Sequence, residues 1–300
     1  MKPAQKIFLN GRIAPLNKAH APMFHQGLNY GACVYEGIRV YRTPQGPAVF
    51  RLQEHLDRFF YSASVLAMNL GMNKKEFAHT IENVVKANAI SSGYIRPMAF
   101  YSEAKMGINI IGAKLTIVVF AWPWKDAPPN RAMTMKIVHT RRLDPSTVDL
   151  RAKISGYYAN GLLGFLEAKK AGCDEPLFLD THGFLAEGAV NNIFIVKRKT
   201  LYTPARGTIL GGVTRDTVIT LARDMGVIVQ EKRIRPEFLR TADEVFLTGT
   251  GIELERVRSI PGYFSERHKT ASIMAIIEQQ YRKVTCGDAP RYRRWLTPIR

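Results

Sequence analysis

Eight residues near the middle of the chain, Pro123-Trp124-Lys125-Asp126-Ala127-Pro128-Pro129-Asn130, set the strongest limit on how it can fold. The three prolines remove backbone donors and fix φ, so no regular element can run through the segment. It reads as a linker. The 300-residue chain then falls into two parts, 1–122 and 131–290, followed by a basic tail at 291–300. Such a length suits two domains better than one, and 46% apolar residues suffice for a substantial core.

Hydrophobic periodicity predicts a mixed α/β chain. Asn10-Gly11 supplies the positive φ angles of a tight turn, so residues 6–16 read as a hairpin. A second strand pair covers 34–42 and 47–51. From Leu52 the spacing turns helical through Leu56, Phe59, Phe60 and Leu66, with Gly71 placed as a stop. Asn73 can cap a helix carrying Phe77, Ile81, Val84 and Val85. Strands follow at 94–101 and 114–122. The second part reads as a strand at 132–140 and a helix at 155–171 whose apolar face is Leu162, Phe165, Leu166 and Ala168. Strands near 175–180, 184–187, 192–197 and 200–203 come next, then a helix at 214–225 ended by Gly226. The chain continues with strands at 227–234, 244–248 and 254–259 and a last helix at 269–284.

Several classes are set aside by composition. No apolar run reaches the roughly 18 residues of a membrane span, and the N-terminus lacks a signal-peptide core, so a cytoplasmic location is expected. Cys33, Cys173 and Cys286 have neither disulfide-framework nor zinc spacing, which leaves buried free thiols and no metal site. The net charge of +18 can mean polynucleotide binding, chiefly through Arg291-Tyr292-Arg293-Arg294-Trp295, or a general attraction for anionic small molecules. Because basic residues are spread along the chain, nucleic acid is not expected as a partner.

Four segments could hold chemistry. Gly211-Gly212-Val213-Thr214 opens a helix, and unpaired N–H groups at a helix start bind phosphate. Thr248-Gly249-Thr250-Gly251 ends an apolar strand in a turn rich in donors. Lys153 stands just before a helix, and Glu187 lies among apolar strand residues. Each has a bland alternative: a capped helix, a glycine turn, a solvated lysine, a glutamate on the solvent face. Taken together, a phosphate cradle, a lysine and an inward carboxylate form the minimum set for holding pyridoxal phosphate.

The order of motifs resembles the class IV aminotransferases, the fold-type IV pyridoxal-phosphate enzymes, and above all their branched-chain amino-acid branch. The resemblance rests on Tyr35-Glu36-Gly37-Ile38-Arg39-Val40-Tyr41, on Phe50-Arg51-Leu52 with His55 and Arg58, and on Tyr94-Ile95-Arg96-Pro97. Lys153 with Tyr158, Glu187-Gly188 before Asn192-Ile193-Phe194, Gly212-Val213-Thr214-Arg215 and Gly249-Thr250 complete it. It implies a smaller N-terminal α/β domain and a larger cofactor-anchoring domain built on a barrel-like sheet. It also implies roles. Lys153 would be the Schiff-base lysine and proton carrier, Glu187 the partner of the pyridine nitrogen, and Tyr158 that of the ring hydroxyl. Arg51, Gly212, Val213, Thr214 and Thr250 would hold the phosphate. Tyr94 and the Thr250-Gly251 turn would hold the substrate carboxylate, and Arg96 with Tyr30 the second carboxylate of glutamate. Tyr35, Gly37, Met106, Ile108 and Trp124 would shape or border the apolar pocket, in part from a neighbouring subunit.

The implied reaction is ping-pong transamination of branched-chain or similar apolar L-amino acids with 2-oxoglutarate, in a homodimer or a hexamer built from dimers. Rivals within the fold are D-amino-acid or (R)-amine transaminases and aminodeoxychorismate lyases. The D-amino-acid branch is disfavoured because no histidine flanks Tyr94-Ile95-Arg96. The chain departs from the family pattern at Gly211, where proline is usual, at Lys125-Asp126-Ala127-Pro128, at Gly188-Ala189-Val190-Asn191-Asn192 and at Glu253-Leu254-Glu255.

Overall fold

The computed structural model describes residues 4–103, 107–124, 132–266 and 272–299; Met106 and most of the expected linker fall outside them. The chain divides into two compact units: Met1–Asp126 with Ala152–Tyr157 and Val284–Arg300, and Ala127–Arg151 with Tyr158–Lys283. The units differ from two contiguous blocks because the segment bearing Lys153 packs with the first. Ala152 and Ile154 are buried in that unit's core, and Ile154 bridges Val34.

The first unit is built on an eight-stranded antiparallel sheet. Its order is Leu296–Pro298, Gly46–Phe50, Ile38–Thr43, Gly93–Tyr101, Leu115–Pro123, Lys6–Leu9 and Arg12–Pro15, with Cys33–Tyr35 also on Gly93–Tyr101. Burial along Gly93–Tyr101 alternates residue by residue, as a pleat with one core face requires. Ile95 and Ala99 face the core, which sets Tyr94 and Arg96 together on the opposite face. Helices Leu52–Val65 and Lys74–Ala87 cover the core side, and Leu56, Phe59, Phe77, Ile81 and Val84 join Ile38, Val40, Ile95 and Val119 in one cluster. The second helix starts with a full capping box between Asn73 and Glu76.

Two local expectations change. The helix from Leu52 ends at Val65, ahead of Gly71, because Ala67 turns to φ +53° and the Tyr101 hydroxyl reaches the carbonyls of Leu66 and Ala67 at 2.9 and 3.1 Å. The strand expected over 34–42 is interrupted at Glu36-Gly37. Its two halves keep one register on Gly93–Tyr101, with Tyr35 opposite Met98 and Ile38 opposite Ile95. That register sets Glu36 against Pro97. Glu36 N donates to the Pro97 carbonyl at 2.9 Å, but proline has no N–H to return.

The released Glu36 side chain is fully buried. His55 Nδ1 stands 2.8 Å from it, Arg58 meets both its oxygens, and the Gly37 N–H donates to it at 3.1 Å. Burial pushes the carboxyl pKa up, yet the Arg58 and His55 charges and hydrogen bonds override this and hold it well below the usual carboxylate range. Burial in turn lowers the pKa of His55.

The second unit holds a mixed sheet in the order Val229–Lys232, Thr200–Pro204, Asn192–Lys197, Glu244–Gly249, Glu253–Ile260, Ala132–Ile137 and Glu175–Leu177. Its outer pairings, 229–232 on 200–204 and 132–137 on both 253–260 and 175–177, are parallel. The barrel-like sheet is not a closed barrel, since its first and last strands are short and do not pair with each other. Residues 184–187 form isolated bridges rather than a strand.

Helix Tyr158–Lys170 is partly turned from its expected orientation. Ala168 of the expected face is buried and Phe165 half-buried, but Leu162 and Leu166 are exposed with Leu163, and Gly161 and Gly164 face inward in their place. A Cβ on Gly164 would lie 2.2 Å from Phe178, so the helix packs on its small residues. Among the thiols, Cys33 and Cys173 are buried but Cys286 is exposed. No helix among the described residues is long and apolar enough to cross a membrane.

Removing one partner of a buried ion pair costs about 3–5 kcal/mol. Glu36→Gln is therefore expected to lower unfolding stability by about that much in urea titrations at pH 7, and an unchanged midpoint would refute the structural role given to Glu36. Both folded-state pKa values are depressed, so the stabilisation is present above the unfolded values and lost as pH falls. The loss begins below about 6.5 for His55 and continues below about 4.3 for Glu36. The acid limb below about pH 4.3 is expected to be shallower in Glu36→Gln than in the parent protein.

Candidate active site

Each unit gathers one set of the residues singled out from sequence. In the first, Lys153 is fixed through its backbone: its N–H donates to Ser62 Oγ at 2.8 Å, and its carbonyl accepts from Tyr35 N at 3.3 Å. Its half-buried side chain places Nζ 4.7 Å from the Tyr35 ring centroid. Arg96 reaches the same ring, with Cζ 4.6 Å from its centroid, and its Nη2 donates to the Tyr94 hydroxyl at 3.3 Å. Tyr94 stacks on Trp122 at 5.1 Å and lies tilted against Trp124 at 5.2 Å. Its hydroxyl occupies space that only a glycine at position 37 leaves open, since a Cβ there would lie 1.7 Å away. Lys153, Tyr35, Gly37, Tyr94, Arg96 and Trp124 thus form one cationic, aromatic group.

Gly31, at φ +66°, lies against Gly156, where a Cβ would come within 2.6 Å of backbone. This contact holds the loop after Tyr30 against the segment that follows Lys153. Tyr30 itself is 46% exposed and Ile108 79%, so neither is enclosed within the chain, and Met106 lies outside the described residues. Arg51 is buried at the start of helix Leu52–Val65 in the left-handed region, φ +52°, with Nε bonded to Glu54.

In the second unit the centre is Glu187, which is buried and not on a solvent face. Arg142 Nε donates to Oε1 at 2.8 Å, Asn192 Nδ2 to Oε2 at 3.0 Å, and the Leu210 N–H reaches both oxygens at 3.3 and 3.2 Å. Asn192 Nδ2 also donates to the Leu210 carbonyl at 3.0 Å, which ties the carboxylate to the loop leading into helix Val213–Asp224. Gly212 is the N-cap of that helix, with no side-chain cap. A Cβ on it would sit 2.1 Å from Asn192 Oδ1, whereas one on Gly211 would meet nothing within 4 Å. Val213 and Thr214 form the first turn, whose N–H groups have no partner inside the helix.

Thr250 and Gly251 are half-buried in the turn after strand Glu244–Gly249. Just before it, the buried Thr248 Oγ1 has no hydrogen-bond partner among the described residues. Tyr158 is the half-buried first residue of helix Tyr158–Lys170. No cluster of potential metal ligands occurs among the described residues.

Three contributors escape the sequence reading. Arg142 follows a second arginine and bears no motif signal. Trp122 lies in an apolar strand where its role in stacking Tyr94 is invisible. Asn192 stands in the motif that follows Glu187 but carries no role there, and the isolated 187–192 bridge is what pairs them.

The family model described as amino-transferase class IV matches residues 33–260. The branched-chain-amino-acid aminotransferase of Pseudomonas aeruginosa is 35% identical over 298 residues, covering 98% of this chain and 97% of the relative. That of Escherichia coli strain K12 is 33% identical over 304 residues, covering 99% and 98%. Among solved structures, the T.th. branched-chain amino acid aminotransferase with pyridoxamine 5'-phosphate superposes with a TM-score of 0.95 at 35% identity and 99% coverage of both chains. The branched-chain aminotransferase of the archaeon Thermoproteus uzoniensis, solved with norvaline, gives 0.93 at 33% identity, covering 99% and 100%. A match over most of the length, in sequence and in fold, makes this chain a member of the class IV amino-transferase family and an aminotransferase.

Proposed function

We propose that this enzyme transfers the amino group of branched-chain or similar apolar L-amino acids to 2-oxoglutarate, using pyridoxal phosphate. The observation that carries the reading is Lys153, backbone-clamped to Ser62 and Tyr35, with its amine laid beside the Tyr35 ring that Arg96 also touches. The relatives' names and the pyridoxamine phosphate in one solved relative support the substrate class and the cofactor.

The donor set fits such a group. A pyridine nitrogen calls for a carboxylate, and Glu187 is held in place by Arg142, Asn192 and the Leu210 N–H. A phosphate calls for donors without partners, and the uncapped helix start at Gly212-Val213-Thr214 offers them. Arg51 and Thr250 would complete the phosphate contacts, and Tyr158 would bond the ring hydroxyl. When bound, the cofactor supplies an electron sink for the charge that develops at the substrate α-carbon.

The chain's residues do the rest. The Lys153 amine would hold the cofactor through its aldehyde carbon and, when free, would carry the proton from the substrate α-carbon to the cofactor's C4′. Tyr94 and the Thr250-Gly251 turn hold the α-carboxylate. Tyr35, Gly37 and Trp124 shape or border an apolar pocket, to which the exposed Ile108 would contribute from a neighbouring subunit. Arg96 with Tyr30 accepts the second carboxylate of glutamate in the other half of the ping-pong cycle.

Tyr30 and Ile108, together with Met23, Phe24, Leu28 and the outward leucines of helix Tyr158–Lys170, are exposed apolar surface of the kind that subunit contacts cover. This surface supports a homodimer, or a hexamer built from dimers. Sedimentation equilibrium is expected to show at least a dimer, and a monomer at all concentrations would contradict it.

Purified protein with added pyridoxal phosphate should turn yellow and transaminate leucine with 2-oxoglutarate. Lys153→Ala should lose the colour and on the order of 10³-fold or more of the rate. Colourless parent protein would sink the proposal, and D-alanine or an (R)-amine as the preferred donor would move it to a sister activity.

The two adjacent glycines give a second test. Gly212→Ala drives a methyl into Asn192 and is expected to cost about 1–3 kcal/mol of stability and to weaken cofactor binding. Gly211→Ala should stay within about 0.5 kcal/mol of the parent. Equal effects in thermal melts would contradict the cradle geometry.

A further inference from the structure

The family model ends at residue 260, yet the last residues of the chain fold back onto the first unit. Pro290–Trp295 makes a 3-10 turn, and Leu296–Pro298 then pairs with Gly46–Phe50, Leu296 opposite Phe50 and Pro298 opposite Ala48. This register brings Trp295 beside the next residue of the partner strand's path, Arg51. Trp295 holds Arg51 twice. Its carbonyl accepts from Arg51 N at 2.6 Å, and its indole lies against the guanidinium, with Cζ 4.5 Å from the ring centroid. The indole is braced by Tyr292, stacked at 4.8 Å, and by Phe50, edge-on at 6.2 Å. Both Arg51 and Trp295 are 6% exposed.

Arg51 needs such support. Its backbone sits in the left-handed region that non-glycine residues avoid, and the Trp295 carbonyl anchors its N–H there. Its side chain is long and rotamer-rich, so an unheld guanidinium would have to be ordered each time an anion bound. Stacking on the indole and the in-plane bond from Nε to Glu54 fix the plane of the group beforehand.

We propose that Trp295, carried by the C-terminal strap 290–298, is a positioning residue that presets Arg51 for the phosphate of the cofactor. The proposal rests on the reading of Arg51 as a phosphate-holding residue.

The test is equilibrium binding of pyridoxal phosphate and of pyridoxal, its phosphate-free counterpart, to the full-length chain. The proteins are the parent, Trp295→Leu, Trp295→Phe, Arg51→Ala and the Arg51→Ala/Trp295→Leu double variant. Trp295→Leu is expected to weaken pyridoxal phosphate binding about five- to tenfold, with pyridoxal binding unchanged. Trp295→Phe should recover most of the loss, and Trp295→Leu should add nothing in the Arg51→Ala background. Pyridoxal binding also reports that the variant is folded. Full pyridoxal phosphate affinity in Trp295→Leu, with weakened affinity in Arg51→Ala, overturns the positioning role alone. Equal loss of both ligands overturns it too, because the effect would not run through the phosphate. Undiminished affinity in Arg51→Ala overturns the phosphate reading itself, and the positioning role with it.

Discussion

The first unit is organised around a carboxylate that has no contact with water. Glu36 is placed inside by a missing hydrogen bond: its register partner on the neighbouring strand is Pro97, which cannot donate. The sheet therefore opens for two residues. A buried charge left alone would be prohibitive, and His55 and Arg58 from helix Leu52–Val65 answer it. Strand break and helix are thereby locked together. Tyr35 precedes the break, Gly37 lies in it, and Arg51 immediately precedes the helix, so the residues given chemical roles here stand in or beside this lock.

The second unit repeats the logic with different means. Glu187 is buried and met by donors from Arg142, Asn192 and the Leu210 N–H, and one of them, Asn192, also fixes the loop that begins helix Val213–Asp224. The same asparagine sets the limit on Gly212, whose hydrogen is all the space allows. A charge that must be satisfied and a glycine that must stay bare are thus two ends of one side chain. Close approach permitted by glycine recurs at Gly37 under Tyr94 and at Gly164 under Phe178.

Much of this was legible beforehand. The Asn10-Gly11 hairpin, the Asn73 cap and the 192–197 strand follow from local chemistry, and they stand where expected. The separated motifs likewise named Lys153, Glu187, Arg96 and the Gly212 helix start as the residues to follow. Legibility failed where two readings share one local pattern. Leu162 and Leu166 have helical spacing, which says that they lie on one face but not that this face looks inward. Gly161 and Gly164 have helical spacing with Ala168 too, and the close approach of Phe178 to Gly164 decided which residues join Ala168 inside. That the sheet of the second unit stays open was not legible either, since strand content does not say whether the first and last strands meet.

Residue order alone was enough for most element types and for the family, and it named the side chains given chemical roles here, because each of these depends on neighbours along the chain or on motifs in a fixed order. Which partners hold those side chains emerged only once the chain was folded: Arg142 and Asn192 on Glu187, Ser62 on Lys153, Trp295 on Arg51. Ser62 and Lys153 are 91 positions apart, and Trp295 is still farther from Arg51. No propensity or period reaches across such separations. These pairings exist because buried polar groups must find partners wherever the fold brings one within hydrogen-bond range.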